Sequence, residues 1–239
     1  MLNSENPLDQ YRAILSTELS RLDAPLKRGI DVLGSGFGLV LVCWLIGLTW
    51  LLATWDTGAN GFFVQERVGR NGRRFRVIKL RTMHVQPNVA TTVTTAGDAR
   101  ITPLGRFFRR TKLDELPQLI NVLKGDMSFV GPRPDVPGYT DALVGDDRII
   151  LEVRPGITGP ATLAYRDEEA LLASVPDPEA YNREVIWPDK VRLNREYVEN
   201  WSFWRDMFYI WVTVTGIGVS RLPARRAVTS DAGVAHDCD

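Results

Sequence analysis

An Asp-Glu pair, Asp114 and Glu115, is set in the run RRTKLDELPQLINVLKGDMSFVGPRP at residues 109 to 134, where basic groups crowd two acids. Pro117 has no backbone N–H, so it is comfortable only in a first helical turn or at a kink. With Asp114 as the helix cap, Glu115, Leu116 and Pro117 fill that first turn. The two carboxylates then stand at the positive end of a helix dipole, a place that also favours phosphates. A carboxylate held there can attack phosphorus, provided a divalent cation offsets the charge of the phosphate groups. Phosphoryl transfer also needs positive groups on the equatorial oxygens, and Arg109, Arg110, Lys112 and Arg133 lie close by in sequence. Arg133 stands between Pro132 and Pro134 after Gly131, so a stiff loop sets its fork before a ligand arrives. On its own, an Asp-Glu at a helix start is more often a cap than a catalyst, and the bases around it are more often solvated.

Other chemistries find little support. Cys43 lies inside an apolar run and Cys238 one residue from the end, which gives neither a disulfide framework nor metal-ligand spacing. His84 and His236 are too isolated for a histidine metal cluster or a catalytic triad. The 239 residues carry 29 basic and 29 acidic side chains, so no excess charge points to nucleic acid. That length suits one substantial domain or two small ones, and no internal repeat is apparent.

Several elements must position the acids. FFVQERVG and RRFRVIKLRTM read as two short strands around an Asn71-Gly72 turn. Residues 84 to 98 are polar and Thr-rich, a mobile loop by composition. A helix is expected from about Leu104, or restarting near Asp114, to Lys124, with Gly125 ending it. Ahead of these, Val32 to Ala53 is apolar throughout and long enough to reach across a hydrocarbon core. Lys27 and Arg28 precede it, while Arg67, Arg70, Arg73, Arg74, Arg76, Lys79 and Arg81 follow it. Retaining both flanks on the cytoplasmic face favours a re-entrant, hairpin-like segment, which glycines permit without requiring; a straight spanning helix is the alternative. Residues 8 to 22 have amphipathic helical spacing, and Tyr197, Trp201, Trp204, Phe208 and Trp211 form one aromatic stripe suited to a protein core or a lipid interface. Residues 221 to 239 read as a disordered tail.

The run from Arg109 to Pro134 resembles the central motif of the bacterial sugar transferase family, the monotopic polyprenyl-phosphate phosphoglycosyl transferases. LKRGIDV, FFVQERVGRNGRRFRVIKLRTM, DARITPLGRFFRRT, VRPGITGPA and REYVENWSFWRDM occur in the family's order, so the likeness covers Lys27 to about Val219. It implies a small, helix-rich α/β cytoplasmic domain over 56–220, an N-terminal amphipathic segment at 1–26, a re-entrant membrane helix over 27–55 and interfacial amphipathic helices. The chain resembles the minimal form, without an N-terminal multi-helix domain. The implied reaction moves a sugar-1-phosphate from a UDP-sugar to undecaprenyl or another polyprenyl phosphate, through a phosphosugar on Asp114 with release of UMP. It would initiate exopolysaccharide, capsule, O-antigen or glycoprotein glycan synthesis at the inner membrane. Asp114 and Glu115 would be catalytic and would hold Mg2+. Arg109, Arg133, Lys79 and Arg81 would bind substrate, and Arg154 of the RPGITG turn the nucleotide. Membrane lipid is the other implied partner, nucleic acid is not one, and a homodimer is compatible with the family. Two departures stand out: Cys43-Trp44 replace the Ser-Pro pair that breaks the family's membrane helix, and Pro160 replaces the Trp that usually ends PGITGW.

Overall fold

The computed structural model describes residues 25–85, 94, 95 and 97–218. The expected amphipathic segment at 8–22, much of the loop at 84–98 and the tail from 221 lie outside them. Helix α1 runs Pro25–Thr57. No proline follows Pro25 within it, so its ladder loses no donor, and its glycines do not interrupt it. The hairpin-like bend is therefore absent: α1 is one unbroken helix of 33 residues, about 50 Å long at 1.5 Å per residue. It is long and apolar enough to cross a membrane.

After α1 the chain forms an antiparallel hairpin of β1 (Phe62–Val68) and β2 (Arg74–Leu80), with Phe62 opposite Leu80. Asn71 and Gly72 both adopt positive φ, 57° and 73°, as the turn signal requires. Helix α2 (Pro103–Thr111) starts on a Thr102 cap whose hydroxyl accepts from Gly105 N. It ends at Lys112, whose left-handed φ of 59° breaks the helix before the acids. A 3-10 turn at Leu113–Glu115 follows, then α3 (Gln118–Lys124), which stops at Gly125 with φ of 95°. Asp114 thus lies inside a tight turn and is not the cap expected from sequence; Lys112 holds that position, without a side-chain bond.

Asn121 of α3 fastens this segment to the hairpin. Its Oδ1 accepts from Ile78 N (3.1 Å) and its Nδ2 donates to Arg76 O (2.7 Å), so one buried amide closes the free edge of β2. The acids are therefore placed by a turn that cannot slide along the strand.

A second, parallel pair joins β3 (Ser128–Val130) to β4 (Gly156–Thr158). Glycines permit the close approach around it: a Cβ on Gly156 would lie 2.1 Å from Gly131 N, and one on Gly131 2.4 Å from Arg154 O. The remaining helices are α4 (Pro160–Ala164), α5 (Glu168–Ala173), α6 (Pro178–Tyr181), α7 (Trp187–Glu199) and α8 (Phe203–Thr215). Helices outweigh two small sheets, in keeping with the helix-rich α/β class expected.

The aromatic stripe does not survive folding. Ser202 caps a new helix by accepting from Arg205 N, so the residues fall on two helices. Tyr197 enters the core with Val130, Leu163, Val198, Tyr209 and Val212, whereas Trp204 and Trp211 are exposed.

Helix α1 is fastened to this body along its length. Asp31, Ser35, Ile46, Thr49, Ala53 and Thr57 are buried at helical spacing, while Leu33, Phe37, Val40, Trp44, Leu48, Leu51 and Trp55 face outward. The covered side packs on α2, α3, the hairpin and β3. At its start, Asp31 Oδ1 accepts from Ser128 Oγ (3.1 Å) and Phe129 N (3.0 Å). Arg28 donates to the carbonyls of Val122 and Leu123 at the end of α3. Lys27 bonds Val130 O and the carboxylate of Asp206. Buried Asp206 also accepts from Tyr197 Oη (2.7 Å) and Trp201 Nε1 (3.0 Å), joining α1, α7 and α8 at one point. The far end is held too, because Gly61 N donates to Thr54 Oγ1 and Trp50 Nε1 to Asn60 Oδ1.

Candidate active site

The break at Lys112 turns Asp114 and Glu115 into the body, where each is only 8 % exposed. Their environments differ sharply. Glu115 Oε1 accepts from Arg133 Nη2 at 2.6 Å and from Lys79 Nζ at 3.3 Å. Burial alone would raise its pKa, but Arg133 and then Lys79 outweigh burial and hold it well below the usual carboxylate range. Asp114 has no such support: Oδ1 is buried without a hydrogen-bond partner among the described residues. Burial, and next the charge of Glu115, push its pKa up. The pair thus comprises a neutralised carboxylate and a bare one. Gln118, four residues after Asp114, has a buried Nε2 equally without a partner among the described residues.

Beside the acids opens a cavity of about 640 Å³, within the range usual for ligand sites. Arg109, Lys112 and Arg133 line it on the side of the acids, while Thr162, Tyr165, Glu168, Glu169, Lys190 and Asn194 contribute the wall from α4, α5 and α7. Arg109 is steadied by Thr82 Oγ1 (3.1 Å) and Glu169 Oε1 (2.7 Å). Lys190 is bound by Glu168 (2.6 Å) and lies 5.6 Å over the Tyr165 ring. Behind Arg133, half-buried Arg67 donates to Pro134 O and Gln65. Desolvation, then the neighbouring Arg133, lower its pKa to about 10. Seven basic side chains line the cavity against four acidic ones, a net positive lining that favours an anion.

Of the residues singled out from sequence, the fold brings Asp114, Glu115, Lys79, Arg109 and Arg133 together. Arg81 donates to Asn60 O and Phe62 O, and Arg154 Nε to Gly125 O, so both hold backbone; like Asp114, Glu115 and Lys79, which lie behind the wall, neither is among the residues lining the cavity. The wall from α4 to α7 escaped sequence reasoning. Its only local signal is the charge run Arg166-Asp167-Glu168-Glu169, which reads as a solvated turn until Lys190 and Arg109 are seen to meet it.

Among the described residues no three His, Cys, Asp or Glu side chains gather as a metal cage. A magnesium ion needs less, because one or two carboxylates suffice when substrate phosphates and water complete the shell. The bare Oδ1 of Asp114 meets that condition, whereas the Oε1 of Glu115 is already engaged by two cations.

Comparison with known proteins agrees with this architecture. The model of the family described as "Bacterial sugar transferase" matches residues 22–219. The exopolysaccharide production protein ExoY of Rhizobium meliloti is 30% identical over 211 residues, covering 82% of this chain and 86% of its own. The UDP-glucose:undecaprenyl-phosphate glucose-1-phosphate transferase of Caulobacter vibrioides is 34% identical, covering 80% of this chain and 69% of its own. The Escherichia coli protein of the same description is 34% identical over 84% of this chain but only 42% of its own length. With a match across nearly every element that builds the carboxylate pair and its cavity, the chain belongs to the bacterial sugar transferase family.

Proposed function

We propose that this chain is an enzyme that transfers a sugar-1-phosphate from a UDP-sugar to undecaprenyl phosphate, opening the assembly of a surface polysaccharide. The activities for which the Caulobacter and Escherichia relatives are named support the reaction class. The observation that carries the mechanism is the contrast between the two acids: Glu115 is charge-compensated, and Asp114 presents a buried oxygen with no partner among the described residues.

In the first half-reaction Arg109, Arg133 and Lys112 hold the diphosphate of the donor, and the Asp114 carboxylate attacks the sugar-linked phosphorus. The bond from that phosphorus to the bridging oxygen breaks, its electron pair leaves with UMP, and an acyl phosphate forms. In the second half an oxygen of the polyprenyl phosphate attacks the same phosphorus, and breaking the acyl phosphate returns Asp114 as a carboxylate. Bound Mg2+, held by Asp114 with Glu115 close by, would offset the negative charge of the diphosphate. Glu115 keeps Arg133 and Lys79 in place.

The reading extends to the membrane. Both ends of α1 are held by the catalytic body and the apolar face points outward along its whole length. That supports an anchor embedded from the cytoplasmic leaflet alone, its ends on one side, as an unbroken helix beside the body. The test of the chemistry is UMP release from a panel of UDP-sugars by detergent-solubilised protein with Mg2+ and undecaprenyl phosphate. Wild type is expected to release UMP with at least one donor and Asp114→Asn with none. Silence of wild type across the panel, or undiminished release by the variant, overturns the proposal.

A further inference from the structure

Two polar atoms in the cavity wall are buried and unpaired. Asn194 is 5 % exposed, and its Oδ1 has no hydrogen-bond partner among the described residues. Thr162 Oγ1, in the same wall, is also buried without one. Buried polar atoms are ordinarily satisfied, so an orphan on a cavity-lining residue points to a group that completes it. Asn194 stands one helical turn beyond Lys190 on α7, which places the amide on the face that presents Lys190 to the cavity. Thr162 comes from α4, so two elements converge.

The chemistry of these atoms narrows the ligand. A carbonyl oxygen such as Oδ1 repels phosphate oxygens, so this pair does not serve the diphosphate, for which Arg109 and Arg133 are present. A nucleobase would find no free aromatic ring beside the pair. Tyr165 is the one aromatic ring among the described lining residues, and it is 6 % exposed, tied through its hydroxyl to Asp189 and overlain by Lys190. Hydroxyl groups, each a donor and an acceptor, match an amide beside an alcohol without any stacking surface.

We infer that Asn194 and Thr162 receive hydroxyl groups of the donor's sugar and determine which sugar the enzyme accepts, an assignment that rests on the UDP-sugar reading above. A site that hydrogen-bonds a particular hydroxyl discriminates against the epimer that leaves it unpaired. The pair touches neither the phosphates nor Asp114, so it sets specificity and leaves the chemistry of transfer alone.

The experiment measures kcat/KM of the full-length, detergent-solubilised enzyme for UDP-glucose, UDP-galactose and their N-acetylated forms, together with inhibition by UMP. Wild type, Asn194→Leu and Thr162→Val are compared. The variants are expected to lose about tenfold or more in kcat/KM for the preferred sugar relative to its epimer, with UMP inhibition unchanged. Thr162→Val preserves shape and decides the matter if Asn194→Leu does not fold. An unchanged sugar ratio in an active enzyme overturns the assignment alone, as does a parallel weakening of UMP inhibition, which gives the pair to the uracil. Wild type that turns over no UDP-sugar overturns the donor reading and this assignment with it.

Discussion

Replacing Glu115 by Gln removes the one negative charge between Arg133 and Lys79 while keeping the side-chain shape. At an effective dielectric of about 20, contacts of 2.6 Å and 3.3 Å correspond to gross attractions of about 6 and 5 kcal/mol. Most of that is offset by stripping water from three ions and by repulsion between the cations, and breaking a buried pair typically costs about 3–5 kcal/mol. The Arg133 side chain is 35% exposed and Lys79 22%, so screening lowers the expected loss to about 2–3 kcal/mol. For a domain of this size that is a fall in Tm of roughly 4–12 °C. Thermal unfolding in detergent of wild type, Glu115→Gln, Arg133→Met and the double variant forms a closed cycle. A coupling energy of at least about 1 kcal/mol is expected. Losses that add to within about 0.5 kcal/mol refute the view that Glu115 acts through its cations.

Three further outcomes are expected. Because the folded pKa of Glu115 lies below its unfolded value, its contribution is complete above about pH 4.3 and is lost as the pH falls toward the folded value. The Tm of wild type should therefore fall from about pH 5 to 3 more steeply than that of Glu115→Gln, as a pH series of melting curves would show. Gly156→Ala places a Cβ 2.1 Å from Gly131 N and 2.5 Å from Thr158 O, both backbone, and should cost more than about 3 kcal/mol. Gly29→Ala, where nothing lies within 4 Å, should be tolerated in the same melting assay. Single cysteine tags before Lys27 and after Ala53 should both react with a membrane-impermeant thiol reagent only from the cytoplasmic side; labelling from opposite sides would establish a spanning helix.

Local signals in the sequence carried far. The Asn71-Gly72 turn, the stop at Gly125 and the run from Arg109 to Pro134 each act through backbone preference or through neighbours in the chain, and the structure assembles them. A restart near Asp114 is one of the two readings offered by the sequence, but its site, a left-handed Lys112, has no compositional mark. The same limit applies to Arg154, given a nucleotide role by the resemblance, whose Nε meets the carbonyl of Gly125, 29 residues away. Lys27 and Arg28 read as flanking charges, yet they are ligands of distant backbone and of Asp206. Asn194 and Thr162 are ordinary helix residues until a cavity forms between their helices. What could not be read depends on which remote segments meet.

The junction at Asp206 also bears on the order of events during synthesis. Lys27 and Asp206 are 179 residues apart, so at about 5–20 residues per second the apolar helix emerges roughly 10–35 s before its partner carboxylate. Until then Lys27 lacks its carboxylate partner, although Val130 O and the hairpin, α2, α3 and β3, which cover the other face of the helix, are made earlier. The C-terminal helix, arriving last, thus closes a body whose earlier segments already cover α1.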